Sequence, residues 1–292
     1  MARINRAIEL LEQGQPIYYT AVTELSYEAG IDSAHTWADY LIAEGEHHPF
    51  DMAGLRAFMR GLVAAGPTRS GHRTPAVLVT LPTDGSSEQV VRANAWMAKQ
   101  ALTTGVHGLI LCHAEDPAAV RAFVEAVRYG SAKLGLGQGL EQGRRGQGGQ
   151  GPAAEIWGVD EQEYVRLADP WPLNPDGEIL LCLKLENRIA VESAEASAAV
   201  PGIGAAEWGP GDMGMSFGYA DAHEAPHPPE MRRARNRVFE ACKSAGIAFL
   251  ERMGPDNVID QIEAGVMIGS CGDDGEEAAE IGRRHTKRTM PW

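Results

Sequence analysis

Three short segments of this 292-residue chain gather side chains that can do chemistry. The first is Glu44-Gly45-Glu46-His47-His48-Pro49-Phe50-Asp51, with two histidines and three carboxylates inside eight residues. Such a set can bind a metal or work as a general-base dyad, although a solvated polar turn ahead of a helix has the same composition. In the second, Leu180-Leu181-Cys182-Leu183-Lys184-Leu185-Glu186-Asn187, Lys184 and Glu186 alternate with apolar residues. On a strand they share one face. Buried there, each needs the other or a ligand to offset a desolvation cost of several kcal/mol. The plain alternative is a structural ion pair. The third is Glu207-Trp208-Gly209-Pro210-Gly211-Asp212-Met213-Gly214, where a Gly-Pro-Gly turn lets the backbone approach closely and presents Asp212.

Something must hold these segments together. Short apolar runs, at Ile17–Val22, Tyr40–Ala43, Ala76–Leu81, Gly108–Cys112, Ile179–Leu185, Ala205–Trp208, Ile247–Leu250 and Val266–Ile268, alternate with amphipathic stretches. Helical spacing marks Asp51–Ala65, with Asp51 as N-cap, Ser87–Leu102, with Ser86 and Gln89 as a capping box, and Pro117–Arg128. Eight strands, each followed by a helix, predict an α/β fold, a (β/α)8 TIM barrel formed by one domain over 1–292. A doubly wound open sheet is the runner-up. Functional side chains of a barrel gather where its strands end, and all three segments fall there. Glu186 and Asp212 then stand at the ends of consecutive parallel strands. Two such oxygen ligands suit a divalent metal, Mg2+ or Mn2+, with Co2+ a further candidate.

Composition removes other classes. Lys and Arg number 26 against 40 Asp and Glu, a formal charge of −14, so the basic footprint of a nucleic-acid binder is missing. An anionic membrane surface is disfavoured for the same reason, and no apolar run approaches the roughly 20 residues of a bilayer span. The N-terminus lacks the apolar stretch of a signal peptide. Cys112, Cys182, Cys242 and Cys271 lie far apart without CxxC spacing, which reads as reduced thiols in a cytoplasmic protein. One region breaks the rhythm: Gly130–Gly151 holds nine glycines in 22 residues, with Arg144 and Arg145 among them. A phosphate cradle is one reading, but the GxxxxGK[ST] and GxGxxG patterns are missing. The favoured reading is a mobile excursion inserted between the fourth and fifth strands, continuing to residue 175 through Trp157, Trp171 and Pro172; were it to order, it would do so over the mouth, as a lid.

Taken together, the three segments resemble the class II, metal-dependent pyruvate aldolases of the HpcH/HpaI aldolase/citrate lyase superfamily, which include 2-dehydro-3-deoxyglucarate aldolases. Glu46-His47-His48-Pro49-Phe50-Asp51 stands where that family has Glu-His-Gly-Pro-x-Asp. Leu185-Glu186-Asn187 stands at its metal-binding Glu, and Gly209-Pro210-Gly211-Asp212-Met213 at its Gly-Pro-Ala-Asp-Leu. Arg145-Gly146 echoes its Arg-Gly, and 246–272 follows its last two strands. The resemblance implies a homo-oligomer, usually a hexamer of dimers that exchange their last helix. The helix and basic tail over 275–292, ending in Trp292, are the candidate for that exchange. It implies that Glu186 and Asp212 hold the metal and that His47 is the acid/base. The amides near Gly211 and Asp212 would receive the substrate carboxylate.

Several positions depart from the family pattern. Thr80 stands where the family has an Arg that supports the reacting oxygen, and Lys184 replaces a frequent Gln. Lys184 is therefore the candidate to restore the missing positive charge. Glu44 replaces the Asp that partners the catalytic His, and His48 replaces a Gly. His113, past the fourth strand, is an added titratable group beside the substrate, and Trp208 walls the pocket. His223 and His227 read as a solvated loop. The expected activity is retro-aldol cleavage of a 4-hydroxy-2-oxo acid or related β-hydroxy ketone through an enolate that a divalent cation stabilises. Decarboxylation or CoA-ester lysis on the same scaffold, or a silent structural barrel, are the alternatives.

Overall fold

The computed structural model describes residues 3–270 and 272–291, so Cys271 and Trp292 lie outside the described residues. Nine strands occur in the order β1 (Ile17–Val22), β2 (Tyr40–Ala43), β3 (Ala76–Asp84), β4 (Gly108–Cys112), β5 (Pro170–Trp171), β6 (Ile179–Lys184), β7 (Ala205–Glu207), β8 (Ala248–Arg252) and β9 (Ile268–Ser270). Their spatial order is β4-β3-β2-β1-β9-β8-β7-β6, and β4 pairs with β6 through Gly108–Leu180 to Leu111–Leu183. That pairing closes an eight-stranded parallel barrel and excludes the open sheet. The two residues of β5 flank the start of β6 without being a stave of the ring. β1, β2 and β4 have the expected bounds; β3 runs on to Asp84, and β8 and β9 begin one and two residues later than expected. Asp51 caps its helix by accepting from the Gly54 amide. For the next helix the cap is Ser87, accepting from Val90, rather than Ser86.

Strand parity explains both core and mouth. Tyr40, Ile42, Leu78, Ile110, Leu180, Cys182, Ala205 and Leu250 point inward and form one buried apolar cluster. The helix Arg6–Glu12 adds Ala7, Ile8 and Leu10 to that cluster, plugging the ring at the end where the strands begin. Outward-facing strand residues pack on the helices around Phe58, Leu62 and Phe123, all buried. Each such side chain contributes about 1.5–3 kcal/mol through burial. Continued towards the strand ends, the inward parity reaches Thr80, Cys112, Lys184 and Glu207. The interior is therefore apolar and sealed at one end, and polar and open at the other.

The glycine-rich segment lies at the sealed end. It follows the helix Pro117–Val127, and a chain leaving a helix in this fold stands where strands begin. There Arg128 makes paired bonds of 2.7 and 3.1 Å to Asp169, and Arg145 stacks 4.2 Å over the Tyr129 ring. Trp157 donates to the Gly105 carbonyl at 2.8 Å, just ahead of β4. Within this chain residues 130–175 therefore lie at the sealed end and not over the mouth, where a lid would stand. The helix Gly275–His285 packs on β1 and on the helix Val258–Ala264 of its own chain. Among the described residues no helix is long and apolar enough to cross a membrane, and Cys112, Cys182 and Cys242 are free and buried.

Candidate metal and catalytic site

Four loops at the open end bring the chemistry together. Glu186 leaves β6 directly below Gly209, whose backbone is left-handed with φ 47°. A Cβ at Gly209 would stand 2.5 Å from Glu186 Oε2 and 2.6 Å from its Cβ, so only glycine fits. Pro210 then starts the helix Pro210–Phe217, and Asp212 sits in its first turn. His113 follows β4 with φ 44°, and its amide donates to Glu186 Oε1 at 3.1 Å. One donor atom from each of Glu46, His113, Glu186 and Asp212 lies within 4.8 Å of the others.

A single ammonium group stands among these carboxylates. Lys184 Nζ pairs with Glu46 Oε2, lies 3.0 Å from Glu186 Oε2 and 3.8 Å from Glu207 Oε1. Burial alone would lower its pKa, but the carboxylates of Glu207 and Glu186 outweigh that and hold it above the usual lysine range. Burial pushes Glu207 up to about 7, with Lys184 opposing and Glu186 and Glu46 assisting. Burial likewise raises Glu186 against the pull of Lys184. One cation does not balance this much negative charge. Glu46 Oε1 is buried and takes no hydrogen bond. Three carboxylates and an imidazole around such an oxygen fit a divalent cation.

The cluster borders a cavity of about 590 Å3 whose wall includes His47, Lys184, Glu186, Glu207, Trp208 and Asp212. His47 is 59% exposed, and its Nε2 lies 3.4 Å from Glu46 Oε2. Glu44 does not partner the His47 ring. Its Oε1 accepts from Thr80 Oγ1 at 2.5 Å and from the amides of Glu46 and His47 at 2.8 and 3.4 Å. Burial would raise Glu44, but the Thr80 hydroxyl and the Glu46 amide overcome it and hold the carboxyl below its usual range. Thr80 also accepts from the Gly45 amide at 2.8 Å, so it organises the loop rather than facing the cavity as the family Arg would. Trp208 is buried, with its edge to His227, which closes its own loop by a 3.1 Å contact to the Ala222 carbonyl. Gly211 lines the cavity under His223, which is largely exposed.

Glu46 and Glu207 join this cluster without a role of their own assigned from sequence, and Tyr19, Glu251 and Arg252 line the cavity likewise unassigned. Glu46 shares its face with Glu44 at a spacing of two. Glu207 is the register partner of Lys184 across β6 and β7, and that pairing appears only once the sheet is built.

A parallel barrel with carboxylates and an imidazole gathered at its mouth is a setting for metal-assisted chemistry on a small molecule. The chain belongs to the HpcH/HpaI aldolase/citrate lyase family, whose sequence model matches residues 31–280. It is 27% identical over 239 residues to a hydroxypyruvate/pyruvate aldolase of Paraburkholderia phytofirmans, covering 82% of this chain and 79% of that one. A 2-keto-3-deoxy-L-rhamnonate aldolase of Klebsiella pneumoniae is 29% identical over 229 residues, covering 77% and 72%. The crystal structure of an HpcH/HpaI family protein from Burkholderia cenocepacia shares the fold at a TM-score of 0.71 and 22% identity, covering 96% and 97%. The chain is a lyase acting on a small molecule, and enzymes of its family depend on a divalent metal.

Proposed function

We propose that this lyase cleaves a 4-hydroxy-2-oxo acid to pyruvate or a related 2-oxo acid and an aldehyde. The observation that carries this reading is the convergence of Glu46, His113, Glu186 and Asp212 beside His47 at one cavity. Glu186 and Asp212 would hold the divalent cation. When bound, it supplies Lewis-acid polarisation of the ketone. The amides of Gly211 and Asp212 open a helix that no side chain caps, and they receive the substrate carboxylate. His47 takes the proton from the C4 hydroxyl as the carbon–carbon bond breaks, which its exposure to the cavity permits, and C3 of the enolate left behind takes up a proton to give the 2-oxo acid. Lys184 keeps a positive charge beside the developing enolate oxygen, in place of the family Arg. Glu44 and Thr80 act by holding the 44–48 loop. Trp208 walls the aldehyde side. The reading includes a cytoplasmic homo-oligomer, in keeping with the free buried thiols.

The test is deuterium exchange at the pyruvate methyl group in D2O, followed by NMR with and without Mn2+. Metal-dependent exchange is expected, and Lys184→Met is expected to slow it and, by taking the ammonium away from Glu46 and Glu186, to tighten Mn2+ binding. Mn2+ bound without exchange would show that pyruvate is not the nucleophile.

A further inference from the structure

His113 is held in a backbone conformation uncommon for a residue with a side chain. A left-handed backbone at a non-glycine residue costs about 1–3 kcal/mol and persists only where its surroundings enforce it. Among the described residues only His113 and Lys287 adopt it, and Lys287 lies just past a helix C-terminus. At His113 the conformation has two consequences. It points the amide at Glu186 Oε1, and it turns the imidazole into the carboxylate cluster. Nδ1 lies 3.7 Å from Glu186 Oε1 and accepts a long, 3.3 Å contact from the Asn187 side-chain amide, which coordination at Nδ1 would replace, while Nε2 lies 3.7 Å from Glu46 Oε1.

Those 3.7 Å separations are too long for hydrogen bonds. Two donors that share one ion at bonds of about 2.1 Å stand roughly 3–3.5 Å apart, so a few tenths of an ångström would bring the ring into coordination. The oxygen facing Nε2 is the buried Glu46 Oε1 that takes no hydrogen bond. Lys184 engages the opposite oxygens, Glu46 Oε2 and Glu186 Oε2, and on the His113 side leaves Glu46 Oε1 bare and Glu186 Oε1 with only the His113 amide. An ammonium on one side and an imidazole on the other divide the cluster into a neutralised half and a coordinating half.

We propose that His113 is a nitrogen ligand of the cation and turns an oxygen site into a mixed nitrogen–oxygen site. Mg2+ is a hard ion that keeps oxygen ligands and water, whereas imidazole suits borderline ions such as Co2+ and Zn2+. The site is accordingly selective for Co2+ or Zn2+ over Mg2+, with Mn2+ between them as a spectroscopic probe. This inference rests on the aldolase reading for the existence of the cation site, but not for its readout.

The experiment is pulsed EPR of the full chain loaded with Mn2+, with Co2+ and Mg2+ affinities measured by competition against a chelating dye. His113→Asn is the variant, because asparagine tolerates the left-handed backbone and removes the imidazole. Wild type is expected to show nitrogen coupling to Mn2+. The variant is expected to lose it and to lower the ratio of Co2+ to Mg2+ affinity by about tenfold or more. Mn2+ bound with no nitrogen coupling in wild type would overturn the inference and leave the aldolase reading standing. Coupling that persists in the variant, or an unchanged affinity ratio, would also overturn it. Mn2+ that does not bind wild type at all would remove the cation site and both readings together. A wild-type spectrum without nitrogen coupling overturns the inference even if the variant fails to fold, and His47→Ala, in which the coupling is expected to persist, separates the two imidazoles.

Discussion

The two ends of the barrel each carry a buried charge cluster, and the two are built in opposite ways. At the sealed end one carboxylate, Asp39, serves three guanidinium groups. Arg288 is 2.7 Å away, Arg283 3.2 Å and Arg6 3.7 Å, while Asp39 Oδ2 accepts the Tyr18 amide. Most of the surplus positive charge is met by backbone carbonyls, although Arg288 Nε makes no hydrogen bond: Arg6 reaches those of Ala38 and Asp39, Arg283 that of Trp37, and Arg288 that of Pro16. At the open end the ratio inverts, with one ammonium among several carboxylates and a buried oxygen left without a bond. A cluster whose surplus charge is answered by carbonyls holds the chain together, here tying the C-terminal helix to the barrel floor. A cluster whose surplus is unanswered is prepared for something that the chain does not supply.

The largest expected effect tests the open end. Glu186→Ala or Asp212→Ala should abolish metal-dependent turnover and Mn2+ binding while leaving the unfolding transition in place. Full activity in either variant would remove the metal role from that residue. The sealed end should respond in the opposite sense. Asp39→Asn leaves three buried guanidinium groups without their carboxylate, and should cost about 3–5 kcal/mol in denaturant unfolding at pH 7. Burial alone would raise the Asp39 pKa, but Arg288, Arg283 and Arg6 outweigh it and hold it below the usual carboxylate range. A depressed folded-state pKa gives stability that is present above the unfolded value, about 3.9, and lost as pH falls through the folded one. The gap between wild type and Asp39→Asn should therefore be full at neutral pH and narrow in strong acid. A gap that widens in acid would contradict this assignment.

His47 separates chemistry from metal binding within the open end. Exposed, and outside the four-residue donor cluster, it can be removed without emptying the cation site. His47→Ala should slow retro-aldol turnover by about 100-fold or more while the Mn2+ affinity holds. Equal losses in both would place the residue in the metal's own shell.

Much of this could be read from the chain. Runs bounded by turn residues define β1, β2 and β4, and Glu186 and Asp212 stand out because each follows a strand end closely. Glu46 and Glu207 were less legible. Their roles depend on a loop that closes onto Lys184, 138 positions along the chain, and on the register of β6 against β7. His113 was visible as a titratable residue, but its direction is set by a backbone angle that residue types do not reveal. The glycine-rich segment was misplaced although its address was available: it follows a helix, not a strand, and so belongs at the sealed end. Composition suggested a lid, and connectivity decides its position.

One part of the mouth is built like the floor. Thr80 donates to Glu44 and accepts from the Gly45 and Glu46 amides, while Glu44 accepts from the Glu46 and His47 amides, so this loop is internally answered. It holds no reacting atom, yet it fixes the start of the segment that carries Glu46 and His47. Thr80→Val keeps the shape of the side chain, strands the Gly45 amide and removes one of the three hydrogen bonds to Glu44 Oε1, at a cost of about 1–3 kcal/mol. The effect on catalysis should be the smallest of the four, about tenfold or less in kcat/KM, because the loop loosens while every reacting group remains. It should be accompanied by a fall in stability, which His47→Ala should not show. A Thr80→Val enzyme with unchanged stability but turnover as slow as His47→Ala would mean that Thr80 touches substrate after all, in the place where the family carries its arginine.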